Sequence, residues 1–332
     1  MRIAIVRLSA LGDIVHSAIV LQFIKEKFPS AQIDWIIEKS MAPVLENNPD
    51  INRIIPIELK KFKKTKKLSD LLKQIKTLRA LDPYDYVIDM QGLLKSAIAT
   101  KFIKGESYGY DKESIREGIA SYLYNHTFSL EYDMNTIDRN VGLVSQALEL
   151  GLTSQDIYEK KPFLFYKDED DAIAKYLSKE KKNIVFVIGS TWPSRNYPKE
   201  KFAQLANELK ENILIIWGSE MEKADAQFIA QHSRHAKVMP RIDLNSVKAL
   251  IDKSDLLIGN DTGPTHIAWG MNRPSITLFG PTPVSRVYVT DINKLVKSPS
   301  KVNPFKLNKQ DFSIKEIEVS EISSISKELL FS

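Results

Sequence analysis

The sequence contains no cysteine among its 332 residues. This absence excludes disulfide bonds, a thiolate nucleophile and any metal site that depends on cysteine. It also fits a reducing cytoplasm, where thiols stay unpaired. The five histidines and the acidic residues show no zinc-protease spacing, so the sequence predicts that the protein binds no metal.

Long apolar runs and two common nucleotide-binding motifs are also missing. No apolar run approaches the roughly 20 residues that a membrane-spanning helix needs. The first seven residues read as a strand with a second arginine, which is not the layout of a secretion signal. Neither the P-loop motif nor Gly-x-Gly-x-x-Gly occurs. These absences argue against a transmembrane protein, a P-loop ATPase and an NAD-dependent dehydrogenase.

The composition is that of a soluble globular protein, with 43% hydrophobic and 27% charged residues. The net charge of +5 is unevenly distributed, because residues 60–67 contain six lysines. Such a run is most often a solvated face or a mobile loop. A docking patch for nucleic acid, anionic lipid or a phosphorylated substrate is the alternative.

Expected strands and helices alternate along both halves of the chain, and a polar stretch separates the halves. This order predicts α/β domains with parallel sheets covered on both faces. We expect doubly wound domains over residues 1–155 and 166–312, with a linker at 156–165, and they would face each other across a cleft. Residues 313–332 are predicted to form a C-terminal helix that can pack back on the first domain. Ligands of such sheets bind where strands end, so loops after strands should carry the function.

The most informative loop is the turn over residues 258–266, Ile-Gly-Asn-Asp-Thr-Gly-Pro-Thr-His, between an expected strand and an expected helix. Thr262 and Thr265 can cap a helix, and Pro264 fits its first turn. Gly263 lets a ligand approach the backbone. Free N–H groups and the helix dipole at such a turn attract phosphate. An ordinary capped helix explains the same residues equally well.

Three further loops carry polar groups. Asp13 follows the first strand and is either a helix cap or a general base at the mouth of the cleft. Residues 189–198 follow another strand, and their hydroxyls and Arg195 suit a phosphate, although a polar surface loop is the plain alternative. Residues 217–222 offer carboxylates for ribose hydroxyls, or simply favourable charge at a helix start. Three such loops in one domain favour a nucleotide site.

Several segments together resemble the lipopolysaccharide heptosyltransferases of glycosyltransferase family 9, most closely the heptosyltransferase I branch. The matching segments run nearly end to end, at residues 2–16, 89–97, 116–125, 260–266 and 279–282. The resemblance implies a GT-B fold of two Rossmann-like domains, the first binding the acceptor and the second the nucleotide sugar. It implies inverting, metal-independent transfer of L-glycero-D-manno-heptose from ADP-heptose to a Kdo residue of Kdo-lipid A, in lipopolysaccharide inner-core synthesis.

The resemblance also implies a role for individual residues. Asp13 matches the catalytic carboxylate, and Arg195 stands where the family usually has lysine. The donor pyrophosphate and heptose are assigned to Gly12, Ser190, Thr191, Arg195, Asp261, Thr262, Gly263, Thr265 and His266. Glu222 matches a ribose-binding acid, and Ile242 an apolar cover for adenine. The anionic acceptor is assigned to Lys60, Lys61, Lys63, Lys64 and Arg116.

The implied partners are ADP-heptose, Kdo-lipid A and the membrane surface, with no cofactor and no nucleic acid. The implied location is cytoplasmic and peripheral, at the inner face of the inner membrane. Three alternatives remain open. Heptosyltransferase II uses a heptose acceptor, although the stretch at residues 91–96 and the lysines favour the first branch. A nucleotide-sugar epimerase or hydrolase could use the same cleft. The basic run could bind nucleic acid, but it contains one aromatic residue, Phe62, and no nucleic-acid motif.

Overall fold

The computed structural model describes residues 1–331, and within them the side chain of Lys63, one of the predicted acceptor residues, lies outside the described part. The chain forms two compact units, Met1–Phe163 and Leu164–Ser332. The boundary falls within residues 156–165, where the sequence places a linker.

The first unit contains six strands and seven α-helices among its described residues. The strands are β1 (Arg2–Val6), β2 (Gln32–Glu38), β3 (Arg53–Ile57), β4 (Tyr84–Asp89), β5 (Gly105–Tyr110) and β6 (His126–Phe128). The helices are α1 (Leu11–Ala18), α2 (Val20–Lys27), α3 (Leu59–Thr65), α4 (Leu68–Arg79), α5 (Leu94–Lys101), α6 (Thr136–Leu148) and α7 (Ser154–Tyr158). Short 3₁₀ helices cover Lys39–Val44 and Gly118–Leu123.

The six strands form one parallel sheet in the order β3-β2-β1-β4-β5-β6. The direction of winding reverses between β1 and β4, and this reversal is where open α/β sheets bind ligands. Strand β1 is buried from Ile3 to Val6, because helices cover both of its faces. Across the reversal, Leu8 N–H donates to Gln91 Oε1 at 2.9 Å, and the Arg7 guanidinium donates to the Met90 carbonyl.

The described residues of the second unit repeat this plan with six strands and six α-helices. The strands are β7 (Asn183–Val187), β8 (Asn212–Ile216), β9 (Ala236–Val238), β10 (Leu256–Asn260), β11 (Ser275–Phe279) and β12 (Asn293–Lys297). The helices are α8 (Ala172–Tyr176), α9 (Lys199–Leu209), α10 (Glu220–His232), α11 (Leu244–Asp252), α12 (Gly263–Gly270) and α13 (Val319–Phe331). The sheet is parallel in the order β12-β11-β10-β7-β8-β9, and its winding reverses between β7 and β10.

The C-terminal helix α13 packs on α9 and on the sheet of the second unit. This corrects the expectation that it packs back on the first domain. Ile314, Ile317 and Ile322 lie in the same buried cluster as Phe202 of α9. The physical reason is the apolar spacing of the C-terminal segment, which buries its isoleucines against α9 and its own sheet.

The lysine-rich segment is also different from the expected loop, because Leu59–Thr65 forms the helix α3. Lysine is a good helix former. The buried Glu38 carboxylate accepts from Lys60 N–H at 3.3 Å, which satisfies one free donor at the helix start. Lys66 adopts the left-handed conformation, with φ of 59°, and ends the helix.

Candidate active site

The loops after β7 and β10 are joined at the carboxyl edge of the second sheet by Asn260. Its side-chain amide donates to the Ile188 carbonyl at 2.6 Å, and its oxygen accepts from Tyr197 N–H at 3.0 Å. Asn260 is fully buried, so both bonds form away from water. This one side chain fixes the residue 189–197 loop beside the turn that begins at Asp261.

Asp261 is a buried carboxylate whose two oxygens both contact protein donors. Oδ1 lies 3.0 Å from His266 Nε2, and Oδ2 accepts from Arg195 at 2.6 Å and from Thr282 Oγ1 at 2.8 Å. Burial alone would raise the pKa of Asp261, but the hydrogen bond to His266 and the charge of Arg195 outweigh it and hold the pKa well below its usual range. Asp261 is therefore an anion that positions its neighbours.

The start of α12 lies directly after this anchored carboxylate. Thr262 is the residue before the helix, and Thr262 and Gly263 are both partly exposed. The first N–H groups of a helix have no partner within it, so this terminus presents donors and a partial positive charge. Thr265 is buried, and its hydroxyl donates to the Asn260 carbonyl at 2.7 Å. Its side chain therefore bonds the protein itself in this structure, and so does that of His266.

The residue 189–197 loop contributes the cation of the site. Arg195 donates to both the carboxylate and the carbonyl of Asp261, and Ser190 Oγ donates to the same carbonyl at 3.3 Å. The Trp192 ring centroid lies 5.5 Å from the guanidinium carbon. Thr191 is exposed in the same loop. The two bonds to Asp261 hold the guanidinium beside the start of α12.

Glu222 lies where β7 and β8 end, in the first turn of α10. Its Oε2 accepts from Gly218 N–H at 2.7 Å. A Cβ atom at Gly189 would lie 2.2 Å from its carboxyl carbon, so glycine leaves the space that Glu222 occupies. Ile242 is partly buried in the loop that follows β9, the next strand of the sheet. A carboxylate after the second strand is the usual partner of ribose hydroxyls in such sheets.

In the first unit, Asp13 sits in the first turn of α1. Its Oδ2 accepts from Ala10 N–H at 3.1 Å, and its Oδ1 lies 3.5 Å from the Arg7 guanidinium. The carboxylate therefore caps its helix, yet about a third of its side chain stays exposed. Gly12, next to it, is also partly exposed. Capping therefore leaves part of this carboxylate exposed to solvent.

A lysine that the sequence interpretation did not single out lies beside this loop. Lys95 Nζ donates to Ser9 Oγ at 2.9 Å, from the start of α5. Burial lowers the pKa of Lys95, and the nearby Arg7 charge lowers it further, whereas Glu38 opposes the shift. The loop before Lys95 is shaped by the buried Asp89, which accepts from Tyr124 Oη at 2.7 Å and from Gln91 N–H at 2.8 Å. Burial raises the pKa of this Asp89 carboxyl.

The predicted acceptor residues occupy two separate segments. Lys60, Lys61 and Lys64 are exposed on α3, where Lys61 pairs with Asp70 at 3.3 Å. Arg116 is exposed in the loop before the second 3₁₀ helix. All of these cations belong to the unit that also carries Asp13.

Four functional candidates were missed from the sequence: Arg7, Lys95, Asn260 and Thr282. All four lie inside segments that carry the family resemblance, so their position in those motifs was the available signal. The bonds Thr282–Asp261 and Lys95–Ser9 span 21 and 86 residues of chain. Contacts between such distant residues depend on the strand order, which local sequence patterns do not reveal.

Among the residues that the structure describes, no group of three or more histidine, cysteine, aspartate or glutamate side chains is arranged to hold a metal ion. Within the same part of the chain, no helix has both the length and the apolarity needed to cross a bilayer.

Comparison with known proteins finds heptosyltransferases both by family model and by sequence identity. The family model described as Glycosyltransferase family 9 (heptosyltransferase) matches residues 71–306. Lipopolysaccharide heptosyltransferase 1 of Campylobacter coli is 36% identical, over 99% of both chains. Lipopolysaccharide heptosyltransferase 1 of Pseudomonas aeruginosa is 30% identical, over 85% of this chain and 79% of the other.

A solved structure of Escherichia coli heptosyltransferase WaaC with ADP-2-deoxy-2-fluoro heptose superposes with a TM-score of 0.78. It shares 23% sequence identity and covers 99% of each chain. At that identity the likeness shows the fold, which is GT-B.

Proposed function

Because this chain belongs to glycosyltransferase family 9, the heptosyltransferases, we propose that it transfers L-glycero-D-manno-heptose from ADP-heptose to a Kdo residue of Kdo-lipid A. The transfer inverts the anomeric carbon, needs no metal and contributes to the lipopolysaccharide inner core. The enzyme acts in the cytoplasm at the inner face of the membrane, where its acceptor is anchored. The relatives named heptosyltransferase 1 favour Kdo over heptose as the acceptor sugar.

One observation carries the proposal, which is the arrangement around Asp261. Its carboxylate holds Arg195 beside the N-terminus of α12, so a guanidinium and free amides are directed to one place. A pyrophosphate carries charge that this arrangement can neutralise. Thr262 and Gly263 supply the amides, and Ser190 and Thr191 lie in the adjoining loop.

The remainder of the donor fits the neighbouring strand ends. The Glu222 carboxylate would accept from ribose hydroxyls, and Ile242 would cover the adenine ring. In this assignment Thr265 and His266 act from behind the site, since their polar atoms bond Asn260 and Asp261.

Asp13 is the proposed general base. An acceptor hydroxyl attacks the anomeric carbon of heptose, its proton passes to the Asp13 carboxylate, and the bond between that carbon and the ADP oxygen breaks. Only one base is needed, because ADP is already a good leaving group. The charge that develops on ADP is stabilised by Arg195 and the α12 amides without rearrangement.

The acceptor is assigned to the first unit. Lys60, Lys61, Lys63, Lys64 and Arg116 are the cations proposed to contact its phosphate and carboxylate groups. Lys95 is added to this set, because its ammonium lies 2.9 Å from Ser9 Oγ in the loop that leads to Asp13.

The test is ADP release from ADP-heptose with two acceptors, Kdo-lipid A and its heptosylated form. We expect release with Kdo-lipid A, together with an acceptor product heavier by one heptose. Release with the heptosylated form alone would assign heptosyltransferase II activity. Release that is independent of acceptor would indicate a hydrolase and contradict the proposal.

A further inference from the structure

Six large apolar side chains are exposed on one helical layer of the first unit. This outer layer consists of α4, α5 and the 3₁₀ helix Gly118–Leu123. The exposed fractions range from 39% to 76%. The side chains are Leu68, Leu72, Leu94, Ile98, Ile119 and Tyr122.

The three elements of the outer layer lie side by side. Leu78 of α4 and Ala99 of α5 belong to one buried cluster with β1, so both helices cover the same face of the sheet. The Arg79 guanidinium lies 4.9 Å from the Phe102 ring centroid, which joins their carboxyl ends. Ala97 of α5 packs against Ala120 of the 3₁₀ helix.

The exposed residues in each element point the same way. Leu68 and Leu72 are four residues apart in α4, as are Leu94 and Ile98 in α5, so each pair shares one face of its helix. Ile119 and Tyr122 are three apart, which aligns them in a 3₁₀ helix. The buried sides of α4 and α5 face the sheet and that of the 3₁₀ helix faces α5, so the apolar pairs lie on the solvent side.

Cations border this apolar surface. Lys73 and Lys76 are exposed on α4, Lys101 on α5, and Arg116 just before the 3₁₀ helix. The lysine-rich helix α3 leads directly into α4. Two carboxylates lie on or next to these elements: Asp70 pairs with Lys61, and Glu117 accepts from Leu94 N–H at 2.7 Å. The border thus carries an excess of positive charge.

We propose that the outer layer binds an anionic lipid bilayer. The six apolar side chains enter the boundary between headgroups and acyl chains, and the cations contact lipid phosphates. Charge decides against a second copy of this chain as the occupant, because a symmetric contact would bring lysine against lysine. The inference deepens the proposed function, resting on it only for the lipid nature of the acceptor.

Vesicle sedimentation of the full chain, without donor or acceptor, tests the proposal. The probes are vesicles of phosphatidylcholine alone and of phosphatidylcholine with one quarter phosphatidylglycerol. We expect binding to the anionic vesicles that weakens at high salt. The double variants Leu68→Ser/Leu72→Ser and Ile119→Ser/Tyr122→Ser should each lower the partition coefficient about tenfold, since apolar burial is lost.

The matched control is Phe331→Ser, which removes an apolar side chain 63% exposed in the second unit and should bind like the parent. All the substituted residues are exposed, and melting curves verify that the variants fold. Equal binding by parent and double variants would overturn the proposal. A parent that does not sediment with anionic vesicles would also overturn it. A dimer abolished by Leu68→Ser/Leu72→Ser would assign the surface to a second copy instead.

A second measurement distinguishes failure of the bilayer proposal from failure of the proposed function. Turnover with a water-soluble, deacylated Kdo acceptor should be unchanged in both double variants, because no bilayer is involved. Loss of that turnover together with normal vesicle binding would make the layer an acceptor site and overturn the inference. If the parent turns over neither this acceptor nor Kdo-lipid A, the proposed function fails while the vesicle result still stands.

Discussion

Two carboxylates of this protein have opposite environments. Asp261 is buried, and both of its oxygens contact protein donors. Asp13 is partly exposed and has one amide donor and a guanidinium at 3.5 Å. A base must reach its substrate, so Asp13 suits proton transfer and Asp261 suits the anchoring of other groups.

The Asp13→Asn variant separates a base from a helix cap. Asp13 is the third residue of α1, and the amide oxygen of Asn at this position can still accept from Ala10 N–H, so the protein should fold and bind ADP normally. It cannot take the proton of the acceptor, and the loss of a general base typically lowers the rate about 100- to 10,000-fold. Melting, ADP titration and kcat with both substrates saturating measure these properties. A folded variant that keeps most of its kcat would leave Asp13 as a cap only.

The Asp261→Asn variant should change how stability depends on pH. Because the pKa of Asp261 is lowered on folding, its ionisation stabilises the protein fully above the unfolded pKa of about 3.9 and progressively less as pH falls below it. Removing this partner of Arg195 should cost about 3–5 kcal/mol at pH 7. Urea unfolding should give a parent–variant difference that is constant from pH 7 to 5 and narrows below pH 4.

Asp291→Asn is the control for this comparison, since Asp291 is exposed. It should leave stability unchanged at every pH. A parent–Asp261→Asn difference that stays constant down to pH 3 would show that the Asp261 carboxylate is not the titrating group.

The sequence indicated which loops carry polar side chains, but not which residues those side chains bond. Asp261, Arg195 and His266 could be selected from their loops. Their ion pairs could not, because Arg195 and Asp261 are 66 residues apart and meet only through the pairing of β7 with β10. Thr282 escaped notice for the same reason.

The ends of β7 and β8 show how two adjacent strands position Glu222. A Cβ atom at Gly189 would lie 2.2 Å from the Glu222 carboxyl carbon, whereas at Gly218 it would lie 3.5 Å from Oε2, an ordinary contact. Gly189→Ala should therefore displace the carboxylate, and Gly218→Ala should not. We expect calorimetry to show ADP binding weakened at least about tenfold by the first substitution, the loss of one charge-assisted hydrogen bond. Equal Kd values for the two variants would remove Glu222 from the ribose site.

The helix α3 gives the acceptor prediction a structural basis. Replacing Lys60, Lys61, Lys63 and Lys64 with alanine should keep the helix, because alanine has the highest helix propensity. Each lysine near an anionic surface contributes about 1 kcal/mol, so the acceptor KM should rise at least tenfold while the donor KM stays constant. Steady-state kinetics with a soluble Kdo acceptor measure both constants.

The matched control replaces four exposed lysines of the second unit, Lys175, Lys179, Lys237 and Lys327. It lowers the net charge in the same way but should leave the acceptor KM unchanged. An equal rise in both variants would mean that overall charge, and not α3, attracts the acceptor.

Among the elements, strands that are apolar runs were predictable, and strands that are short or rich in polar residues and glycine were not. Strands such as β1 and β10 are continuous apolar runs, as expected for parallel strands covered on both faces. Strand β5 reads Gly-Glu-Ser-Tyr-Gly-Tyr, and β6 has only three residues. In β12, a lysine stands on either side of the two apolar residues. Those three strands were not predicted, because their pattern resembles that of loops. The segment that forms α3 was interpreted as a loop because its run of lysines indicates a solvated segment, although lysine also favours helices.

At the scale of the whole molecule, both units share one strand order without a repeated sequence. The second unit additionally takes its C-terminal helix into its core. Ile322→Ala should destabilise that unit by about 2–5 kcal/mol, the cost of a buried large-to-small change. Phe331→Ala, exposed on the same helix, should change stability by less than about 0.5 kcal/mol. Urea unfolding followed by tryptophan fluorescence gives both values, and equal effects would mean that α13 does not stabilise the unit.

Because the winding reverses between β1 and β4, the first strand is synthesised on the ribosome well before its partner β4. Ile3 pairs with Tyr86, so the first strand cannot complete its sheet until 83 further residues have been made. At typical rates of translation this takes roughly 4 to 17 s. During that interval an apolar strand and the loop that carries Asp13 are exposed on the nascent chain. The first half of this protein should therefore depend on chaperones early in its synthesis, before any part of the second half exists.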